Sequence, residues 1–128
     1  MAVVHAIVAD LMFGSKVAAT ARAHGVDYRG ARSLAGLRDA PGTAALVLVD
    51  LEAELPDGDP LGAIDEALTR TPTPTVVAFA GHLLTDRLAA ARDAGAHEVL
   101  SRGGFASRLE GLMASVAGSG EQQTPGEK

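Results

Sequence analysis

One stretch of the chain constrains its fold more than any other: residues 46–50 read LVLVD, four apolar strand formers that end on an acid. A continuous apolar run of this kind is typical of a strand covered on both faces, as in parallel sheets with helices on each side. A second run, from Val3 to Ala9, is also largely apolar and is followed by Asp10. Because open α/β sheets bind ligands at the carboxyl ends of their strands, the two runs predict a parallel sheet with two carboxylates at that edge.

Strand and helix patterns alternate along the chain. Ser15 is the predicted cap of the first helix, Gly25 is its predicted left-handed stop, and Gly95 is the predicted stop of the fourth helix. Such alternation produces right-handed crossovers and a parallel sheet. We therefore expect an α/β fold, a flavodoxin-like three-layer sandwich with five helices and a five-stranded parallel sheet of order 2-1-3-4-5. The predicted strands cover residues 3–9, 26–29, 45–50, 75–80 and 97–100, and the predicted helices cover 16–24, 34–38, 61–70, 85–94 and 105–116.

A single domain, residues 1–117, is expected, because a chain of 128 residues without internal repeats fits one sizeable core. Residues 118–128 are rich in Gly, Ser, Gln, Glu and Pro. They have nothing to bury, and we expect them to form a disordered tail. Cysteine is absent, which excludes disulfides, thiolate metal sites and a cysteine nucleophile.

The charge and hydropathy of the chain restrict its partners. A net charge of −5 and an aromatic content of 3% argue against a nucleic-acid partner, which needs a basic face and stacking side chains. The apolar runs are shorter than the ~18 residues of a membrane-spanning helix, and the amino terminus lacks the pattern of a secretory signal. We therefore expect a cytoplasmic protein that binds neither nucleic acid nor membrane.

Several short motifs follow one another in a characteristic order. They are Asp10, the strand end Asp50, Glu52, Asp57-Gly58 before the third helix and Ala94-Gly95-Ala96 before the fifth strand. From about residue 3 to residue 116 this order resembles the receiver domains of two-component response regulators. The resemblance implies that Asp50 is the phosphoacceptor. It also implies Mg²⁺ as a candidate cofactor, held by Asp10, Asp50 and the backbone carbonyl of Glu52.

Several positions depart from the pattern of that family. The Thr or Ser that ends strand 4 is replaced by Ala80, which is followed by Gly81. The Lys-Pro pair after strand 5 is replaced by Arg102 and a glycine, and the aromatic position in strand 5 holds Val99. The acidic pair after strand 1 is reduced to one acid. We expect Ala80, Gly81 and Arg102 to line the crevice, where an arginine does not replace the compact ammonium of lysine.

These departures favour a stand-alone pseudo-receiver, a signalling module that works through protein–protein contacts, without turnover and without efficient phosphorylation. The expected contact surface for a protein partner or a homodimer is the face formed by helix 4, strand 5 and helix 5, which receivers commonly use. Two alternatives stay open. One is a phosphorylatable receiver that accepts phosphate on Asp50, with Asp10 for Mg²⁺ and Arg102 as the cation. The other is a small-molecule-binding module of flavodoxin-like fold.

The acids and the segment after strand 1 also have simpler interpretations. The simpler interpretation of Asp50 is a solvated acid at a strand end. The simpler interpretation of Asp10 is an acid that stabilises the following helix through its dipole, by about 0.3–1 kcal/mol. Residues 11–16 read LMFGSK, where Met12 and Phe13 are expected to pack onto neighbouring helices. The alternative for this segment is an apolar docking patch beside the crevice.

Overall fold

The computed structural model describes residues 2–122 of the chain. Its sheet has the order β2-β1-β3-β4-β5, and every neighbouring pair of strands is parallel. The predicted flavodoxin-like α/β fold is therefore confirmed, with strand bounds that differ from the expected ones by at most two residues. In chain order the elements are β1 (Val3–Ile7), α1 (Leu11–Ala23), β2 (Asp27–Ala31), α2 (Leu34–Arg38), β3 (Leu46–Asp50), α3 (Leu61–Leu68), β4 (Thr75–Ala80), α4 (Thr85–Ala94), β5 (Glu98–Ser101) and α5 (Arg102–Gln122).

Helices cover both faces of the sheet, and β3 lies at its centre with all five residues buried. Leu46 and Leu48 belong to the core that α1 and α5 form on one face. Val47 and Val49 belong to the core that α2, α3 and α4 form on the other face. Because successive side chains of a strand point to opposite faces, only an uninterrupted apolar run satisfies both cores. The central position of β3 places its terminal acid between the loops that follow β1 and β4.

The start of α1 differs from the prediction. The helix begins at Leu11 rather than at residue 16, and its cap is Asp10 rather than Ser15, which lies inside the helix. The Asp10 carboxylate accepts hydrogen bonds from the backbone N–H groups of Met12 (2.9 Å) and Phe13 (3.2 Å). These bonds satisfy amides that lack partners in the first turn of a helix. The helix therefore starts at the acid that ends the first apolar run.

The ends of the other helices are closer to the sequence-based expectation. Gly25 follows α1 with φ 72°, and Gly95 ends α4 with φ 106°, so both predicted stops are confirmed and both are left-handed. The last helix, α5, continues to Gln122 and thus includes residues 118–122 of the expected tail. A helical backbone continues its own hydrogen bonds beyond the last side chain that packs in the core, so loss of apolar residues does not mark its end. Residues 123–128 lie outside the described residues.

Within residues 2–122, none of the helices is both long enough and apolar enough to cross a membrane.

Candidate functional site

The sheet brings the predicted site residues to one edge, at the carboxyl ends of β3, β4 and β5. Asp50 is the last residue of β3, Ala80 the last residue of β4, and Arg102 follows β5 directly. The register pairs Asp50 with Phe79 on β4 and Ala80 with Ser101 on β5. A crevice at the carboxyl edge of a parallel sheet is the usual ligand position in such folds.

Asp50 is completely enclosed, with a side chain that is 0% exposed. Its Oδ2 accepts a hydrogen bond from the backbone N–H of Ala9 (3.1 Å), and its Oδ1 accepts one from the backbone N–H of Glu52 (3.0 Å). The Arg102 guanidinium lies 3.7 Å from Oδ1. A buried carboxylate needs such donors and a nearby cation to offset its lost hydration. The interpretation of Asp50 as a solvated acid at a strand end is therefore wrong.

Arg102 supplies the positive charge of the site and is held on several sides. Its Nη2 donates to Oε2 of Glu52 at 3.1 Å. Its guanidinium carbon also lies 5.4 Å from the ring centre of Phe13 and 5.7 Å from that of Phe79. These distances are within the range of cation–π attraction. The planar guanidinium thus spans two acids and two aromatic rings, which a lysine ammonium would not reproduce.

Glu52 reaches across the crevice with its side chain, a contact that sequence reasoning missed. Besides the bond from Arg102, its Oε2 accepts a hydrogen bond from the backbone N–H of Gly81 at 2.8 Å. The Gly81 hydrogen bond, together with Arg102, lowers the pKa of the Glu52 carboxyl from its ordinary value. The sequence-based prediction used only the backbone carbonyl of Glu52. Its side-chain role depends on contacts 29 and 50 residues away along the chain, which no local pattern indicates.

Asp10 lies at the same edge, but its described hydrogen bonds go to the start of α1. This contact supports the interpretation of Asp10 as a helix-stabilising acid, through a cap as well as a dipole. The carboxylate is exposed.

An octahedral magnesium ion needs oxygen ligands that converge on one point, whereas the described hydrogen bonds of the predicted ligands go to other partners. Both Asp50 oxygens accept backbone hydrogen bonds, and a guanidinium stands where positive charge is needed. Among residues 2–122, no three or more His, Cys, Asp or Glu side chains are grouped to hold a metal ion. Magnesium binding by Asp10, Asp50 and Glu52 stays a prediction.

Two of the positions that differ from the receiver pattern, Ala80 and Val99, hold small apolar side chains. Ala80 is fully buried and offers no hydroxyl to an anion at the crevice. Val99 is partly buried and packs against the core beneath α4. Neither side chain has a hydrogen-bonding group, and the loss of the switch stays a prediction.

The apolar segment after β1 divides between core and surface. Phe13 is confirmed as a packing residue, because its ring makes edge contacts with Phe79 and Phe105 at centroid distances of 5.7 Å each. The expectation that Met12 packs is wrong, since it is 83% exposed and Leu11 is 76% exposed. The residues of α1 that face the core recur every four positions from Phe13. Leu11 and Met12 therefore face solvent. The docking-patch alternative stays a prediction.

A cavity of about 560 Å³ lies beside the crevice, between the ends of β1 and β3. Apart from apolar and backbone atoms, it is lined by Arg32, Glu52 and Glu54. The two acids oppose the charge of Arg32, so the lining does not form an anion site. Small-molecule binding stays a prediction.

No protein-family model and no curated protein matches the sequence. Solved structures do match over almost the whole chain. A response regulator receiver domain from Clostridium thermocellum is similar at 20% identity and a TM-score of 0.72, covering 95% of this chain and 98% of that one. The beryllofluoride-activated NtrC4 receiver domain dimer is similar at 21% identity and a TM-score of 0.74, covering 93% and 98%.

NtrX from Brucella abortus is similar at 20% identity and a TM-score of 0.77, covering 98% of this chain but 29% of that protein. In these three comparisons the likeness extends over at least 93% of the chain, so it concerns the entire sheet and its helices. The strand order and the acid at the end of the central strand agree with it. The chain therefore has the fold of the response regulator receiver domains.

Proposed function

We propose that this chain is a pseudo-receiver, a signalling domain that acts through contacts with a protein partner and without efficient phosphorylation of Asp50. The observation that carries the proposal is the enclosure of Asp50, whose two carboxylate oxygens accept backbone hydrogen bonds while its side chain has no exposed surface. Phosphoryl transfer needs an accessible attacking oxygen that is in line with the leaving group. An enclosed carboxylate does not meet that requirement.

The surroundings of Asp50 support the same proposal. Developing charge on a transferred phosphoryl group must be neutralised by positioned donors and cations. The neighbouring cation, Arg102, is already paired with Glu52 at 3.1 Å, and Ala80 contributes no hydroxyl. The groups that would stabilise a phosphoryl group are thus absent from the sequence or engaged with each other. The proposed role involves no turnover.

The contact surface we propose is the face formed by α4, β5 and α5. β5 is an edge strand, and its four residues are all partly exposed. An edge strand with exposed side chains is accessible to another protein. The similar beryllofluoride-activated NtrC4 receiver domain is a dimer, which supports a homodimer as one form of the proposed contact. We propose a cytoplasmic protein partner and no nucleic-acid or membrane partner.

Incubation with acetyl phosphate and Mg²⁺, followed by intact mass measurement, tests the proposal. Under conditions that label an active receiver, we expect the wild-type chain to gain no phosphoryl mass. The matched control is Asp50→Asn, which removes the acceptor oxygen and keeps the size of the side chain. Labelling of the wild type that disappears in Asp50→Asn would overturn the proposal in favour of a phosphorylatable receiver.

A further inference from the structure

Two hydrogen-bond donors from different loops converge on a single oxygen at the mouth of the crevice. The backbone N–H of Gly81 approaches Oε2 of Glu52 at 2.8 Å, and Nη2 of Arg102 approaches the same atom at 3.1 Å. Gly81 follows β4, Arg102 begins α5, and Glu52 follows β3. A single carboxylate therefore connects three segments that the sequence keeps far apart.

The two donors have the chemistry of an oxoanion site. A guanidinium offers several N–H groups in a fixed plane that matches phosphate and carboxylate oxygens. A backbone N–H adds a donor whose position is set by the fold. Charge-assisted hydrogen bonds of this kind are about twice as strong as neutral ones. The same Nη2 is 3.7 Å from Oδ1 of Asp50, so an oxoanion placed here would share the guanidinium with that carboxylate.

We infer that Gly81 and Arg102 form an oxoanion-binding site and that the Glu52 carboxylate fills it as an internal anion. The inference rests on the proposed function, because it gives the Gly81 and Arg102 donors a permanent partner in a domain that is not phosphorylated. Glu52 is tethered to the site by its own backbone, so its effective concentration there is far above that of a free anion. The wild-type chain should therefore bind free phosphate only weakly.

The lowered pKa of Glu52 is consistent with this role, since both donors favour its ionised form. A Cβ placed on Gly81 would meet Oε2 of Glu52 at 3.5 Å, an ordinary contact distance. The carboxylate thus touches the Gly81 loop without being wedged against it, and it can be removed without a steric rearrangement of that loop.

The test is a titration of Glu52→Ala and wild-type protein with inorganic phosphate at constant ionic strength, followed through the backbone amide signal of Gly81 by NMR. We expect a saturable shift in Glu52→Ala and an apparent Kd at least about tenfold lower than that of the wild type. That ratio corresponds to the loss of one charge-assisted competitor. Glu54→Ala is the matched control, because it removes an exposed acid from the same loop and should behave like the wild type.

Two further variants separate this inference from general charge effects. Glu52→Gln keeps an acceptor oxygen for Gly81 but loses the charge, and it should bind phosphate with intermediate affinity. The Glu52→Ala/Arg102→Ala double variant should lose the gain. A well-folded Glu52→Ala without a saturable shift, or a wild type that binds phosphate equally well, would overturn the inference.

These outcomes are distinct from the failure of the proposed function. Labelling of the wild-type chain by acetyl phosphate would overturn the pseudo-receiver role, whatever the titration shows. A negative titration of Glu52→Ala would leave that role in place and remove only the internal anion.

Discussion

Replacing Arg102 by Ala removes the guanidinium that lies 3.7 Å from the buried Asp50 carboxylate and 3.1 Å from Glu52. Loss of one partner of a fully buried pair costs about 3–5 kcal/mol, because a buried charge is left unpaired. Arg102 is about a third exposed, and its distance to Asp50 is longer than a hydrogen bond, so solvent screening reduces that cost. Two backbone N–H groups also remain on Asp50. We therefore expect Arg102→Ala to lower the free energy of unfolding by about 1–3 kcal/mol, which includes the lost contacts with the aromatic rings.

Urea unfolding at neutral pH measures this free energy, and a double-mutant cycle identifies its source. In an Asp50→Asn background the Arg102→Ala change should cost less, because no buried charge is left unpaired. Arg102→Lys is the matched control, since it keeps the charge but not the planar fork, and it should lose less stability than Arg102→Ala. An Arg102→Ala effect within about 0.5 kcal/mol of zero, the usual range for surface substitutions, would refute the reasoning. An equal cost in both backgrounds would also refute it.

Two further predictions concern residues away from this ion pair. Asp10→Ala should lower the free energy of unfolding, measured in urea, by about 0.5–2 kcal/mol through loss of the α1 cap. Asp10→Asn keeps a capping oxygen and should retain most of the wild-type stability. An Asp10→Ala variant as stable as the wild type would contradict the role of Asp10 as a cap. Buried His5 accepts a hydrogen bond from Arg70 through Nδ1 at 2.9 Å, and burial lowers the pKa of His5 below its ordinary 6.5. At a pH between the folded pKa of His5 and its unfolded value of 6.5, the unfolded chain binds more protons than the folded one. The free energy of unfolding is therefore highest above pH 6.5 and declines as the pH falls through the folded pKa. Thermal unfolding from pH 7.5 to about 5 should show this decline in stability. A His5→Gln variant has no titratable group at this position, and its stability should change less with pH. Identical pH profiles for the two proteins would contradict the assignment of the decline to His5.

The buried strands follow from the sequence because burial leaves a direct mark on it, and their order follows from the architecture of an alternating α/β chain. A strand covered on both faces must be apolar at every position, and residues 46–50 show that pattern up to the terminal acid. The left-handed stops Gly25 and Gly95 follow from backbone sterics alone. For elements of this kind, one stretch of sequence contains the information that determines the structure.

The start of α1 shows where local pattern fails. Leu11, Met12 and Phe13 form an apolar run without helical period, and Ser15 has the chemistry of a cap, so residue 16 looked like the first helical position. Asp10 also has that chemistry, and only the packing of the Phe13 ring against α5 and β4 decides between the two. Tertiary contact therefore sets the boundary.

The candidate site was predictable in position but not in its internal contacts. The ends of parallel strands placed Asp50, Ala80 and Arg102 at one edge. The enclosure of Asp50 and the reach of Glu52 depend on side-chain directions and on partners 29 to 50 residues away. These contacts, rather than the residue types alone, determine whether Asp50 and Arg102 are accessible to a ligand.

The most direct test of the claim that Asp50 is enclosed and inactive is an NMR titration of the wild-type chain with Mg²⁺ and beryllofluoride. It is followed at the backbone amides of Asp50 and of the face formed by α4, β5 and α5. The pseudo-receiver account predicts no saturable shift at Asp50 and no change on that face. Saturable shifts at both places, comparable to those of an active receiver treated in the same way, would contradict it.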